Sequence, residues 1–316
     1  MKVYVKTPAR LHLGLIDLNG DLGRLFGGLG VGIDRPNVIL EAQWSERLAV
    51  TGEKTDVVKT LAKRFLETYN IKANASIKVK QTIPEHAGLG SGTQLALAVA
   101  TALAKLFDVN ASIRELAKAM GRGQRTSVGT TIFERGGFVV DGGKNVSKDS
   151  FPATIFRQPF PKEWVFVVAI PNVEKGLARD EETAAFAGMS PMLAEDAGKI
   201  CRLTMMKLLP SLIERDIKSF GEALTQIQTI IGGYFAVAQG GTYSSLAATE
   251  GTALMRKLGA YGVGQSSWGP AFYGLTQKDE AQKIQLKVQA FLRNSVGGQV
   301  FTAKANNRGA YIKVTR

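Results

Sequence analysis

The chain has 316 residues, of which 45% are hydrophobic and 21% charged, and its formal net charge is +13. A chain of this length and apolar content folds into one large domain or two ordinary ones and is not disordered. Its lysines and arginines are scattered, and no aromatic residues interleave with a basic stripe. The charge therefore favours an anionic small-molecule substrate over nucleic acid.

Neither the N-terminus nor the apolar runs indicate a membrane partner. The longest apolar run spans residues 95–104 and ends at Lys105, so it is too short to cross a bilayer. Residues 1–8 lack the apolar segment and cleavage site of a signal peptide. Cys201 is the only cysteine and cannot form an internal disulfide, which fits a reducing compartment. We therefore expect a cytoplasmic protein.

The first 143 residues alternate strand patterns, helical patterns and glycine-rich pieces. Ser112 is the expected N-cap of the third helix, and Gly121 follows its end. Residues 121–143 are rich in glycine and predict a loop that leads into a strand at 137–140. The other predicted elements are strands at 2–7, 38–43, 48–51 and 75–81 and helices at 55–69, 93–107 and 113–120.

A polar segment at 144–161 with two prolines predicts a linker between two domains. We place the N-terminal domain at 1–150 and the C-terminal domain at 160–316. Strands and helices follow one another without a regular βα alternation, which favours the α+β class over a doubly wound sheet. The predicted C-terminal elements are strands at 164–170 and 310–314, helices at 192–209, 211–230, 251–259 and 286–295, and a glycine-containing loop at 262–274.

One segment has the composition of a phosphate-binding loop. Pro84-Glu-His-Ala-Gly-Leu-Gly-Ser-Gly-Thr93 lies between a predicted strand and a predicted helix. Its three glycines let successive N–H groups point into one concavity, the helix adds the positive end of its dipole, and Ser91 and Thr93 add hydroxyl groups. The spacing matches neither a Walker A loop nor a dinucleotide-binding fingerprint. A glycine-rich turn capped by Ser91 or Thr93 is the structural alternative.

This loop resembles the phosphate loop of the GHMP kinase superfamily. Pro8-Ala-Arg-Leu-His-Leu-Gly14, ending in Asp17, is similar to the superfamily's N-terminal motif, and residues 262–274 stand where its C-terminal glycine loop is found. The resemblance implies a two-domain α+β fold, with an N-terminal domain like ribosomal protein S5 and a ferredoxin-like C-terminal domain. It implies that the phosphate-binding loop comprises Gly88, Leu89, Gly90, Ser91, Gly92, Thr93 and Gln94.

Longer motifs resemble one branch of the superfamily. Residues 10–20, 23–34, 121–125, 133–143 and 265–270 are similar to the β-ribofuranosylaminobenzene 5′-phosphate synthases. That family joins phosphoribosyl pyrophosphate to 4-aminobenzoate or 4-hydroxybenzoate, with release of pyrophosphate and carbon dioxide, in methanopterin biosynthesis. Thr130 and Thr131 stand near the position where the kinases often carry an aspartate, which makes an ATP-dependent small-molecule kinase the second hypothesis. A non-enzymatic binding protein is the third.

The expected substrates carry several negative charges, which arginine forks bind well. Arg122 and Arg125 are predicted to bind phosphate with the loop. The resemblance also implies a magnesium or manganese cofactor and a homodimer. Asp17, Asp34, Glu134 and Asp141 are the candidate carboxylates for the metal or for orienting the arginines, and the sequence does not choose among them. The predicted catalytic residues are Arg10, His12, Asp17, Arg24 and Glu134.

Overall fold

The computed structural model describes residues 1–173 and 179–315. Its strands form three sheets. They are β1 (Lys2–Lys6), β2 (Ala9–Asp17), β3 (Arg24–Ile33), β4 (Ile39–Ser45), β5 (Ala49–Gly52), β6 (Asn74–Gln81), β7 (Phe138–Asp141), β8 (Lys144–Asn145), β9 (Thr154–Gln158), β10 (Trp164–Pro171), β11 (Gly262–Gln265), β12 (Phe272–Gln277), β13 (Gly298–Lys304) and β14 (Tyr311–Thr315).

The helices cover the faces of these sheets. They are α1 (Thr55–Thr68), α2 (Ser91–Leu106), α3 (Ile113–Ala119), α4 (Val128–Arg135), α5 (Arg179–Gly188), α6 (Ala194–Leu203), a π-helical turn (Thr204–Leu208), α7 (Leu209–Glu214), α8 (Ile217–Gln239), α9 (Leu246–Lys257) and α10 (Lys278–Arg293). Ser112 caps α3 as predicted, in a reciprocal capping box with Glu115.

The first sheet has the strand order β14-β1-β4-β6-β5. In β1 the buried Val3 and Val5 alternate with outward-facing lysines, as expected of a strand with one face on the core. The apolar helix α2 packs on this buried face. Strand β14 pairs with β1, so the end of the chain joins the N-terminal sheet and crosses the predicted division between 1–150 and 160–316. The domain boundary itself stays a prediction.

The second sheet, in the order β2-β3-β7-β9, begins with a hairpin to which the sequence analysis assigned no strand. The glycines of β3 obscure the alternation of apolar and polar residues that indicates a strand. Glycine is needed there because helix α4 packs closely against the strand. A Cβ atom on Gly28 would lie 2.7 Å from Val128, and one on Gly30 would lie 2.4 Å from the same side chain. Glycine in a strand often marks such a close approach.

Two predicted connections contain regular structure. The predicted loop at 121–143 contains helix α4, because Val128, Ile132 and Phe133 form a buried apolar face. The predicted linker at 144–161 contains β9, which pairs with β7 and extends the second sheet. The prediction of a loop was therefore wrong for residues 128–135, whereas the strand predicted at 137–140 is confirmed as β7. The linker, like the domain boundary, stays a prediction.

The third sheet has the order β11-β12-β10-β13. Read along the chain, its strands and the helices α8 and α10 form a β-α-β-β-α-β unit, the ferredoxin-like arrangement expected for the C-terminal domain. The predicted two-domain α+β fold is confirmed. In residues 1–173 and 179–315, no helix is long and apolar enough to cross a membrane. The homodimer stays a prediction.

Helix α8 depends on a small residue where it crosses β11. A Cβ atom on Gly221 would lie 2.2 Å from the Tyr261 carbonyl oxygen, whereas nothing lies within 4 Å of one on Gly233. We expect Gly221→Ala to lower the free energy of unfolding by about 1–3 kcal/mol, because backbone must move. The control Gly233→Ala on the same helix is expected to be neutral or stabilising by up to about 1 kcal/mol. Equal denaturation midpoints for the two variants would contradict this packing.

Candidate active site

Three segments that are distant in sequence meet at one point. The Ser266 hydroxyl donates a hydrogen bond to the Gly88 carbonyl oxygen at 2.6 Å, and the His12 backbone N–H donates to the Ser266 hydroxyl at 2.9 Å. The Ser267 N–H donates to the His12 carbonyl at 3.3 Å. The contacts therefore join the N-terminal motif, the phosphate loop and the C-terminal glycine loop.

The glycine loop has a backbone conformation that residues with side chains rarely adopt. Gly88 and Gly90 have φ values of 77° and 78°, in the left-handed region that favours glycine. A Cβ atom on Gly88 would lie 2.0 Å from the Ser266 carbonyl oxygen, and one on Gly90 would lie 2.8 Å from Arg10 Cγ. Helix α2 begins directly after Gly90, so its unpaired N–H groups and positive dipole end lie at the loop.

A cavity of about 380 Å³ opens in front of this loop. It is bordered by glycines, hydroxyl groups and arginines, a composition suited to a phosphorylated ligand. The predicted residues that line it are Gly88, Gly90, Ser91, Gly92, Thr93, Arg10, Arg122 and Arg125. The predicted binding residues Leu89 and Gln94 do not line it. Leu89 is buried and accepts a hydrogen bond from the Arg10 N–H, and the buried Gln94 amide donates to the Gly129 carbonyl.

Arg10 lies beneath the loop rather than in solvent. Its guanidinium donates to the Gly88 carbonyl at 2.5 Å. Burial lowers the pKa of Arg10 to about 10, against the opposing charge of Glu182. The side chain therefore keeps its positive charge at neutral pH and is available to an anion.

A second cavity, of about 140 Å³, adjoins the first. Its lining includes three aromatic and three amide side chains, with Phe235 and Trp268 stacked at 4.1 Å between ring centroids. Residues that line both cavities form the boundary between them. They are Arg10, Arg125, Thr126, Glu182, Ser267 and Trp268.

His12 lines the smaller cavity and is buried. Burial lowers the pKa of His12 to about 3, and the neighbouring positive charge of Arg10 lowers it further. The imidazole is therefore neutral at physiological pH. It is a polar wall of the cavity and not a cation for phosphate.

Glu182 on α5 is a site residue that the sequence analysis missed. Its carboxylate lies 2.7 Å from Arg125 Nη1, and Arg125 Nη2 donates to the Thr183 hydroxyl at 2.6 Å. The guanidinium lies over the ring of Phe186, 5.0 Å from its centroid. Burial raises the pKa of Glu182, against the positive charges of Arg125 and Arg10. No sequence motif marks it, because its partners are far away along the chain.

Three predicted catalytic residues lie outside both cavities. The Asp17 carboxylate accepts hydrogen bonds from the N–H groups of the following turn, at 19 and 20. Arg24 donates to the carbonyls of Gly142 and Gly143, and Glu134 pairs with Arg135 on the surface. Each of the three has partners in local backbone or at the surface, so the structure does not bring them to either cavity, and their catalytic role stays a prediction.

Two further carboxylates of the sequence analysis are also structural. Asp34 accepts a hydrogen bond from the Lys304 N–H. The buried Asp141 carboxylate accepts bonds from the N–H groups of Gly28, Ser127 and Gly143. Asp141 thereby fixes the segment that presents Arg125 and Thr126 to the boundary.

Thr130 and Thr131 are buried in α4 and line neither cavity. The Thr131 hydroxyl pairs with that of Thr154 at 2.7 Å. Within the parts of the chain that the structure describes, no group of three or more His, Cys, Asp or Glu residues has the geometry to hold a metal ion by itself.

Comparison with known proteins shows the family to which the chain belongs. The model of the GHMP kinases N terminal domain matches residues 56–133, and that of the GHMP kinases C terminal domain matches 208–294. The β-ribofuranosylphenol 5′-phosphate synthase of Archaeoglobus fulgidus is 35% identical, over 98% of this chain and 99% of the relative. The chain belongs to this synthase family of the GHMP kinase superfamily. The enzyme of the same name from Methanothermobacter thermautotrophicus is 31% identical over 99% of both chains.

The predicted synthase branch, and with it the enzyme class, is confirmed by these relatives. A solved homoserine kinase from Cytophaga hutchinsonii has a TM-score of 0.74 and covers 99% of this chain and 97% of its own. Its sequence identity is only 18%, so it shows the shared fold and not a shared reaction.

The neutrality of His12 predicts a pH dependence of stability. Below pH 6.5 an unfolded chain protonates this histidine, whereas the folded chain does not until about pH 3. Stability is therefore lost as the pH falls, by about 2 kcal/mol from this group between pH 7 and pH 5. Denaturant titrations should show that His12→Gln removes this loss. The control His86→Gln, at the only other histidine, should retain it, and identical pH slopes for both variants would refute the assignment.

Proposed function

We propose that the chain condenses phosphoribosyl pyrophosphate with 4-hydroxybenzoate, releases pyrophosphate and carbon dioxide, and forms β-ribofuranosylphenol 5′-phosphate for methanopterin-type cofactors. The observation that carries the proposal is the shared boundary of two cavities, one lined by glycine and arginine and the other by aromatic rings. The names of the relatives specify a phenol, which favours the 4-hydroxy acid over the 4-amino acid.

The larger cavity suits the donor. Phosphoribosyl pyrophosphate carries phosphate groups at both ends, and the glycine loop offers N–H groups, hydroxyl groups and the N-terminus of α2. Arg122 lies against the loop, since a Cβ atom on Gly92 would lie 3.3 Å from its Nη1. Together with Arg10 and Arg125 it supplies positive charge where the pyrophosphate leaves.

The smaller cavity suits one aromatic ring. Its volume of about 140 Å³ is close to that of a cavity, roughly 150 Å³, that binds benzene. The rings of Phe186, Phe235 and Trp268 contact one another at its wall, and aromatic side chains pack favourably against a further ring. A benzoate held here places its carboxylate end towards Arg10 and Arg125 at the boundary.

At that boundary the ring carbon that bears the carboxylate is the nucleophile. It forms a bond to the anomeric carbon as the bond from that carbon to pyrophosphate breaks. The carboxylate then leaves as carbon dioxide, and its bonding electrons restore the aromatic ring. No ring proton has to be removed, so the enzyme acts chiefly by orientation and charge. Glu182, the one carboxylate that lines both cavities among the described residues, lies where positive ribosyl charge develops.

A magnesium ion fits the larger cavity as a partner of the donor. Magnesium in such sites is held by one or two carboxylates together with substrate phosphates, and here Glu182, Ser91 and Thr93 supply a carboxylate and two hydroxyl groups. When bound, the ion would neutralise charge on the leaving pyrophosphate. Arg10, Arg122 and Arg125 bind the remaining phosphate oxygens and orient the donor.

The decisive experiment follows labelled carbon dioxide from carboxyl-labelled 4-hydroxybenzoate in the presence of phosphoribosyl pyrophosphate and magnesium. We expect stoichiometric release of carbon dioxide and pyrophosphate without ATP, abolished by chelation of the metal. Phosphate transfer from ATP to acceptors of the superfamily's kinases, with no carbon dioxide, would reject the proposal in favour of a kinase.

The loop is tested by Gly90→Ala. An alanine at this position would have a φ of 78°, which side chains disfavour, and its methyl group would contact Arg10. We therefore expect the affinity for phosphoribosyl pyrophosphate, measured by calorimetry, to fall by tenfold or more. Gly259→Ala is the control, since Gly259 also has a positive φ but nothing lies within 4 Å of its Cβ position. An unchanged dissociation constant for Gly90→Ala would show that the loop is only a turn and does not bind the donor.

A further inference from the structure

Three glutamines line the smaller cavity and not the larger one: Gln228, Gln239 and Gln265. Gln228 and Gln265 are only 6% and 4% exposed. Among the described residues, no charged side chain lines the smaller cavity alone, and His12 in its wall is neutral. This end of the cavity therefore favours an uncharged polar group.

The direction of the Gln228 amide is fixed by backbone partners. Its Nε2 donates to the Leu13 carbonyl at 2.8 Å, and its Oε1 accepts from the Gln265 backbone N–H at 2.9 Å. A carbonyl can only accept and an N–H can only donate, so a flipped amide would lose both bonds. One of the two Gln228 amide hydrogens has a partner within the described residues, and the second is left for a ligand.

The other two amides use all their hydrogens within the protein. Gln265 Nε2 donates to the Ser267 carbonyl at 3.0 Å and to Gln239 Oε1 at 3.1 Å, while its Oε1 accepts from the Ser244 N–H at 2.7 Å. Gln239 Nε2 donates to the carbonyls at 241 and 242, both at 3.0 Å. Each of the two oxygens accepts one bond and has a second lone pair. Gln239 and Gln265 can therefore offer only acceptors to a ligand.

We propose that these three residues, the glutamine cluster, bind the para substituent of the aromatic acid and that Gln228 selects a hydroxyl group there. The inference rests on the proposed function. Because the carboxylate must reach the arginines at the boundary, the para substituent lies at the opposite end of the ring, among the amides. A hydroxyl group accepts from Gln228 and donates to an oxygen of Gln239 or Gln265, which satisfies both.

Other substituents match the cluster less well. An amino group conjugated with the ring donates but accepts poorly, so the spare Gln228 hydrogen stays unpaired. A methoxy group only accepts, and a hydrogen atom does neither. A buried polar group left without a partner weakens binding. The cluster is a specificity-determining element, while orientation of the ring follows from its two differently bound ends.

The experiment measures dissociation constants of 4-hydroxybenzoate, 4-aminobenzoate, 4-methoxybenzoate and benzoate by calorimetry. The unmodified protein is expected to bind 4-hydroxybenzoate about three- to tenfold more tightly than the other three, a ratio typical of one neutral hydrogen bond. Gln228→Met should remove the preference for 4-hydroxybenzoate over 4-aminobenzoate and leave the affinity for phosphoribosyl pyrophosphate unchanged. Gln226→Met, at an exposed position on the same helix, should keep the original ratios.

Gln239→Met provides a second variant if Gln228→Met does not fold, since the hydrogen bonds of the Gln239 amide within the described residues go to the turn that follows its helix and to Gln265. It should reduce the preference for 4-hydroxybenzoate over 4-methoxybenzoate. The inference is overturned if the unmodified protein binds all four acids equally, or if both variants keep the original ratios. Failure of the unmodified protein to bind any of the four would instead overturn the proposed function.

Discussion

The site is organised by a backbone contact that only glycine permits. The Ser266 carbonyl oxygen lies only 2.0 Å from the position that a Cβ atom of Gly88 would take, and the Ser266 hydroxyl donates a hydrogen bond to the Gly88 carbonyl. This approach presses the phosphate loop against the C-terminal domain, and the bond from His12 to Ser266 adds strand β2 to the contact. The two cavities share a boundary because these three segments are held together.

Charge is the second constraint on the site. Arg10 and Arg125 are withdrawn from bulk solvent at the boundary, and removing charges from water is costly unless they are paired. Glu182 pairs with Arg125 at 2.7 Å, and its charge also acts on Arg10. One carboxylate facing two arginines leaves an excess of positive charge. That excess is what an anionic donor and a benzoate carboxylate require, so the electrostatics favour two anions meeting there.

The sequence predicted those parts of the site that depend on local chemistry. Glycine spacing marked the phosphate loop, since a tight turn before a helix needs glycine in particular places. Glycines also obscured strand β3, where they permit the close packing of α4. A charged residue within a motif does not show which way its side chain points. Asp17 and Arg24 were therefore assigned to the reacting centre, although they bind nearby backbone.

Long-range pairing explains most of what the sequence left out. Glu182 is significant only because α5 carries it to Arg125, and no pattern around residue 182 indicates that contact. The glutamines had an equally weak signal in the sequence. Gln228 lies in a predicted helix with an apolar face, and Gln265 lies in the C-terminal glycine loop, where no role was assigned to it. Their proposed role depends on which amide hydrogens already bond to protein acceptors, and only the folded structure shows those bonds.

The fold is shared with alcohol kinases, yet Thr130 and Thr131 stand near the position where those kinases often carry an aspartate. In those enzymes a carboxylate beside the acceptor can take or orient a hydroxyl proton. Here Thr130 and Thr131 are buried within α4, away from both cavities. A carbon nucleophile that loses carbon dioxide has no proton to give up at the attacking atom, so nothing is missing for that reaction. Under the proposed function, the smaller cavity instead offers rings and amides, which would hold an aromatic acid and leave its reactivity to its own para substituent.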